Sequence, residues 1–504
     1  MNANEERNEG TDKSVIAKIF IILCSIVLGL IAEIGVVNWL PKESYAVTAI
    51  IMIIIAVIII VAAVDGVVSS SKSWGWKIFN IGAVIALLFL LIIGFFHAKL
   101  PNLSARMAYI SCKCYDSLNS HEYAKGAIEE AITLNPNKYL YQAEAGRIYY
   151  VNKDYQQSID CYERAIELNP DSDQLYFKRG RVYIENQDPF SAAKDFEIMI
   201  ANHPDDEECN YWLGRAYLDC GYDSGEADYY EKAIEYFKKA MDKYAENDEY
   251  FFRRACAYIE IGGSENFSNA IEDLTSAIDL NGNSDNYYYW RGRMYYNMGG
   301  YNDYTNAIND FTSAIEINAD VKEYYYWKGL SYYSLAPCKE DNDLEDYQKA
   351  IDNFDIAIEM DQEYAQCYVE RAWAYKKYGN HQAGLADIKV AVRLDNNNRN
   401  YHETLGNFYY NEKEFAKAIK EYQYANDIEP NALCYFNLGD AYYEEGKYEK
   451  AIDAYTDAIN MDHTNVLYLS RRGLCYSLLQ EYDNSKEDLV AIMTLQEHGN
   501  EIGY

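Results

Sequence analysis

Residues 139–172, YLYQAEAGRIYYVNKDYQQSIDCYERAIELNPDS, set the fold of the whole chain. Gly146 stands three residues before Tyr149. Ser158 stands four before Tyr162, and Tyr162 stands three before Ala165. Steps of three and four place side chains on one face of an α-helix, so the stretch reads as two amphipathic helices. The small residues let the helices approach, and the large one fills the hole between them. Pro170 then stops the second helix and opens the next unit.

The pattern recurs. The small residue three before a tyrosine appears as Cys112, Gly146, Gly180, Gly214, Ala255, Gly292, Gly329, Ala372, Gly406, Gly439 and Gly473. The intervals are 34, 34, 34, 41, 37, 37, 43, 34, 33 and 34 residues. The second helix repeats as well, for example Ala192-Phe196, Ala307-Phe311-Ala314, Ala350-Phe354-Ala357 and Ala451-Tyr455-Ala458. Four units carry extra residues near the turn between their helices, at roughly 219–230, 262–266, 298–305 and 335–347.

These residues resemble the tetratricopeptide repeat family, whose 34-residue signature has the small residue, the tyrosine, the Ala-x3-Phe-x2-Ala set and the late proline at these offsets. The resemblance covers residues 105–499 and implies eleven helical hairpins, at 105–138, 139–172, 173–206, 207–247, 248–284, 285–321, 322–364, 365–398, 399–431, 432–465 and 466–499. It further implies a right-handed α-solenoid whose first helices line a concave groove for an extended peptide or a helix of a partner protein. The last unit has Ser485 and Ile492 where small residues are usual, as in a terminal cap.

Charge divides the 504 residues. The chain carries 45 Lys+Arg against 79 Asp+Glu, a net charge of −34, which excludes a broad basic nucleic-acid face. Residues 1–104 hold seven basic and seven acidic residues, so all of the excess lies in 105–504. All but one of the 52 tyrosines lie there too, Tyr45 being the exception. After a short polar tail, 1–18, the segment 19–100 has three apolar runs: Ile19 to Leu40, Ala46 to Val64 and Ile78 to Phe96. Runs of about 20 apolar residues are long enough to cross a bilayer, and Trp39, Trp74 and Trp76 lie at their ends. The expected fold is therefore all-α: a three-helix transmembrane anchor followed by the solenoid. Basic residues flanking the runs number five on one side and four on the other, too even to orient them. Ten cysteines lie in the repeats, of which Cys256, Cys434 and Cys475 replace small apolar residues, and so many free thiols favour a reducing cytosol for the solenoid.

Groove candidates follow from the repeat register. Aromatics recur three before the small anchor, at Tyr109, Phe177, Tyr211, Phe252, Tyr289, Tyr326 and Phe436. Basic residues recur one after it, at Lys113, Arg147, Arg181, Arg215 and Arg293, and tyrosines four after it, at Tyr150, Tyr296, Tyr333, Tyr410 and Tyr443. A basic row in an acidic wall suits bidentate pairing with partner carboxylates, with tyrosines supplying apolar area. Equally, these arginines could pair with acids of neighbouring units and the tyrosines serve packing.

No catalytic, cofactor or metal motif is present, and the chain reads as a non-enzyme. Residues Glu340-Asp341-Asn342-Asp343 with Glu345 and Asp346 lack the glycine and final glutamate of a calcium loop and read as a solvated acidic insert. The functional expectation is a membrane-tethered scaffold that captures protein partners in its groove. The alternative is an outward-facing receptor or envelope module whose tyrosine-rich groove binds polymers or extracellular ligands.

Overall fold

The computed structural model describes residues 101–241, 246–339 and 344–501. Every regular element among them is helical: 22 α-helices and one 3₁₀ turn, Ala336–Cys338. The chain divides after Ile148 into two compact units. In the first, α1 (Pro101–Ser117) and α2 (His121–Leu134) form a hairpin, and α3 (Tyr139–Val151) begins. Ala105, Ala108, Cys112, Ala124, Ile128 and Ala131 are its buried core.

The second unit continues with α4 (Tyr155–Leu168), then nine hairpins. They are α5 (Asp173–Glu185) with α6 (Pro189–Asn202), α7 (Glu207–Ser224) with α8 (Ala227–Met241), and α9 (Asp248–Ile261) with α10 (Ser264–Leu280). Next come α11 (Asp285–Met298) with α12 (Tyr301–Ile317), α13 (Lys322–Leu335) with α14 (Leu344–Met360), and α15 (Ala365–Tyr378) with α16 (His381–Leu394). The last are α17 (Arg399–Asn411) with α18 (Phe415–Ile428), α19 (Ala432–Glu444) with α20 (Tyr448–Met461), and α21 (Val466–Leu478) with α22 (Tyr482–Glu501). Each hairpin packs its second helix on the first helix of the next, so the hydrophobic core runs along the array rather than to one centre.

Local chemistry sets the helix ends. In the shortest turns the middle residue is left-handed: Gln187 at φ 59°, Lys413 at 61°, Gln480 at 64° and Gly446 at 72°. That reversal aims the next amide at the carbonyl of the repeating tyrosine, as Asp188 N–H donates to Tyr183 O and Lys447 N–H to Tyr442 O, both at 2.9 Å. An orphan carbonyl at the end of the first helix is thereby satisfied. Second helices start on caps such as Asp188, which accepts from Ser191 N–H ahead of Pro189. Extra residues in the longer units mostly extend helices: α7 has 18 residues against 13 in α5. Two other long turns use Gly262-Gly263 and Gly299-Gly300, all at positive φ.

The small anchor and the large filler match in size. A methyl on Gly180, Gly214, Gly329, Gly406 or Gly439 would sit 2.5–2.9 Å from the ring of Phe196, Phe237, Phe354, Tyr422 or Tyr455. These five rings are at most 2 % exposed. Where the filler is Leu274 or Ile388, the anchor is Ala255 or Ala372, and all four are fully buried. A fixed gap between helices is thus filled either by glycine plus a ring or by alanine plus an aliphatic chain. The final hairpin departs from this. Leu489 is 57 % exposed, and Gly473 meets nothing closer than Asp488 Cβ at 3.4 Å.

The expected multi-pass membrane localisation is corrected. No helix among the described residues is long and apolar enough to cross a membrane. The helices buried here are amphipathic, apolar only on the stripe that packs. The three apolar runs on which the expectation rested, and the acidic segment 340–343, lie outside the described residues.

Candidate functional site

Five arginines on the first helices are locked, each one residue before the small anchor. Arg179 donates to Asp195 at 2.8 and 2.7 Å, Arg254 to Asp273 at 2.8 and 2.5 Å, and Arg291 to Asp310 at 2.9 and 2.7 Å. Arg371 and Asp387 make two bonds of 2.7 Å, and Arg472 bonds Asp488 at 3.1 and 2.6 Å. All five aspartates are buried, three residues beyond the small residue of the second helix. Burial pushes the carboxyls of Asp195, Asp273, Asp310 and Asp387 up, and the guanidinium beside each opposes that shift. These pairs clamp one helix of a hairpin to the other and have no capacity left for a partner.

The sequence-derived basic row, one residue after the anchor, behaves in two ways. In the first unit it is consumed. Lys113 Nζ lies 2.5 Å from Glu144, and Arg147 donates to Asp116 at 2.5 Å and to Glu144 at 2.6 Å. Those two cations follow the packing alternative. In the second unit the row stays available. The Arg181 and Arg215 guanidiniums lie 4.8 and 5.1 Å from the Trp212 ring centre. Their nearest carboxylates are Glu208 at 4.0 Å and Asp219 at 3.9 Å. Arg293 lies 4.7 Å from both Trp290 and Trp327 and 5.6 Å from Tyr289, and no carboxylate among the described residues is within ion-pair distance of it. The Nε atoms of Arg181, Arg215 and Arg293 are all buried without a hydrogen-bond acceptor.

The aromatic candidates divide likewise. Phe177, Phe252 and Tyr326 are buried, against Phe196, Tyr287 and Tyr364 respectively at 5.7, 5.0 and 5.1 Å. They are packing residues between helices. Tyr211 stacks on Tyr250 at 4.6 Å and Tyr289 meets Tyr324 at a tilt at 5.2 Å, and Tyr211 and Tyr289 are each half-buried beside an arginine of this row. Tyr296 meets the edge of Trp327 at 5.4 Å and accepts from Ser334 Oγ at 3.4 Å. Tyr333 contacts Tyr347 at 5.6 Å, and Tyr150 contacts Tyr155 at 6.2 Å.

Two clusters result on the first-helix face of the second unit: Arg181, Tyr211, Trp212 and Arg215, and Tyr289, Trp290, Arg293, Tyr296 and Trp327. The tryptophans were missed in reading the sequence. Their signal was there, since Trp212, Trp290 and Trp327 each stand two residues before the anchor glycine. A flat guanidinium on an indole keeps its in-plane N–H groups free for a carboxylate while its face is covered.

Family models of the TPR repeat match residues 146–187 and 439–480, and a tetratricopeptide repeat model matches 177–248. These matches support the tetratricopeptide repeat family in the residues they cover. Among solved structures, yeast Tom70 aligns over 79 % of this chain and 96 % of its own, at 16 % identity and a TM-score of 0.36. A human IFIT1 dimer with PPP-AAAA aligns over 79 % and 92 %, at 14 % identity and 0.36. YrrB, described as a TPR protein with an unusual peptide-binding site, aligns over 40 % and 97 %, at 22 % identity and 0.32. No curated protein matches the chain in sequence.

Proposed function

We propose that this chain is a non-catalytic protein-interaction scaffold that holds an extended, acidic segment of a partner along the first-helix face of its second unit. The partner's carboxylates pair with Arg181, Arg215 and Arg293, and its apolar atoms lie on Trp212, Trp290 and Trp327. The observation that carries this reading is the contrast between two arginine registers. Arg179, Arg254, Arg291, Arg371 and Arg472 are each bonded twice to a buried aspartate, whereas Arg181, Arg215 and Arg293 are stacked on indoles with an unbonded Nε. In a region with 38 basic and 72 acidic residues, Arg293, with no carboxylate among the described residues at ion-pair distance, is the exception, and Arg181 and Arg215 have theirs only at 4.0 and 3.9 Å. An incoming carboxylate converts each stacked arginine into a charge-assisted pair, worth roughly 1.5–3 kcal/mol.

The test is fluorescence anisotropy of a labelled peptide alternating glutamate with glycine, titrated with the full chain at low salt. Each of Arg215→Gln and Arg293→Gln weakens binding on the order of tenfold. Arg147→Gln leaves it unchanged, because that cation is already paired. Equal binding by wild type and the Arg215→Gln/Arg293→Gln double variant refutes the reading.

A further inference from the structure

The same face carries a carboxylate with the opposite problem. Glu370, on α15, stands two residues before Ala372 and so occupies the register that holds Trp290 and Trp327 on α11 and α13. It is half-buried, and among the described residues its carboxylate accepts one hydrogen bond, from Gln366 Nε2 at 2.6 Å. No lysine or arginine among the described residues is within ion-pair distance of it. The buried aspartates at 195, 273, 310, 387 and 488 each have an arginine. Glu403, one hairpin further on, is paired with Arg399 at 2.9 Å.

Gln366, which donates to Glu370, in turn accepts from the Tyr401 hydroxyl at 3.3 Å. The charge of Glu370 acts on Tyr296, Tyr326, Tyr333 and Tyr401, so the four phenols lie within electrostatic reach. Tyr326 and Tyr296 both pack on Trp327, at 5.7 and 5.4 Å, which ties this wall to the indole beside Arg293. Burial pushes the Glu370 carboxyl up, and only Gln366 opposes the shift. A carboxylate drawn out of water without a counter-charge is costly, and the cost is relieved when a cation arrives. Aromatic faces beside it add attraction for the same cation.

We propose that Glu370, with half-buried Tyr296 and Tyr333, forms a subsite for a lysine or arginine side chain of the bound peptide. The inference rests on the scaffold reading in one respect, that an extended peptide lies along this face. It deepens that reading by making the recognised segment mixed in charge: acidic residues opposite Arg215 and Arg293, and a basic residue two hairpins beyond Arg293, one past Trp327. A purely acidic ligand leaves Glu370 unpaired and is repelled by it, so the subsite also fixes the direction in which the segment lies.

Saturation-transfer difference NMR on the full chain tests this with three small probes: the N-acetyl methylamides of lysine, norleucine and glutamate. The lysine probe saturates with a dissociation constant on the order of millimolar, and the norleucine probe, of similar length without charge, does not. Glu370→Gln keeps the shape and the Gln366 contact but removes the charge. It lowers lysine-probe affinity on the order of tenfold or more. Glu370→Asp, which withdraws the carboxylate by one methylene, gives an intermediate loss. The glutamate probe reports on Arg293→Gln separately, so failure of the arginine reading and failure of the Glu370 subsite are distinguishable. The subsite is overturned if the lysine probe fails to saturate the wild type, if Glu370→Gln binds it equally, or if norleucine competes as well as lysine.

Discussion

Gly439→Ala and Gly473→Ala should move stability in opposite directions, although both place alanine at the same register of a first helix. Alanine gains about 1 kcal/mol over glycine in a helix interior. At Gly473 the new Cβ meets nothing within 3.4 Å, so that gain stands nearly alone. At Gly439 the Cβ lies 2.5, 2.6 and 3.0 Å from Tyr455 Cε1, Cδ1 and Cζ. The ring has to retreat by about an ångström to reach ordinary contact distance. Tyr455 is fully buried, and its hydroxyl donates to Asp440 at 2.6 Å. Overpacking costs about 1–3 kcal/mol, and stretching a charge-assisted bond adds about 1–2 kcal/mol. Against the helix gain the net loss is roughly 2 kcal/mol. Stability in a repeat array is local, so the assay is amide hydrogen exchange, read on α19 and α20 for one variant and on α21 for the other. Adding Tyr455→Leu to Gly439→Ala should restore most of the loss, because the alanine-plus-leucine combination already occurs at Ala255 and Leu274. Exchange slowed alike in both variants, or no rescue by the leucine, would refute the packing rule.

Two further outcomes follow from the same core. Arg254→Leu leaves buried Asp273 without its counter-charge and costs about 3–5 kcal/mol, whereas Arg254→Leu with Asp273→Leu is close to neutral; urea denaturation followed by circular dichroism separates the two. Burial pushes the Cys209, Cys256 and Cys434 thiols up to about 12, so iodoacetamide at mildly alkaline pH labels exposed Cys114 and Cys338 first, as read by peptide mass spectrometry, and equal labelling of Cys209 would contradict its placement.

Helix register was legible in the residues alone. Every tyrosine three beyond a small anchor lies on a first helix, and Ala-x3-Phe-x2-Ala sets lie buried on second helices, because a period near 3.6 leaves one face to pack. The long units were legible too, as excess residues, but not the way each is accommodated: α7 lengthens, while two other turns use paired glycines at positive φ. The apolar runs before residue 100 read as membrane spans, and no described helix supports a multi-pass localisation.

The candidate site was legible only by position. Periodicity names the residues that share a face, and so it placed Lys113, Arg147, Arg181, Arg215 and Arg293 in one row. It does not say what stands opposite each one. Lys113 and Arg147 face Asp116 and Glu144 and are consumed; Arg181, Arg215 and Arg293 face indoles and are not. Glu370 is one acidic residue among 79 until its surroundings show that no cation accompanies it. The sequence by itself determined the repeat and the helix faces. Which charges are spent inside the molecule and which remain for a partner was decided only by tertiary structure. A side chain's pairing depends on neighbours 16 to 39 residues away, brought to within hydrogen-bond distance by the stacking of one hairpin on the next.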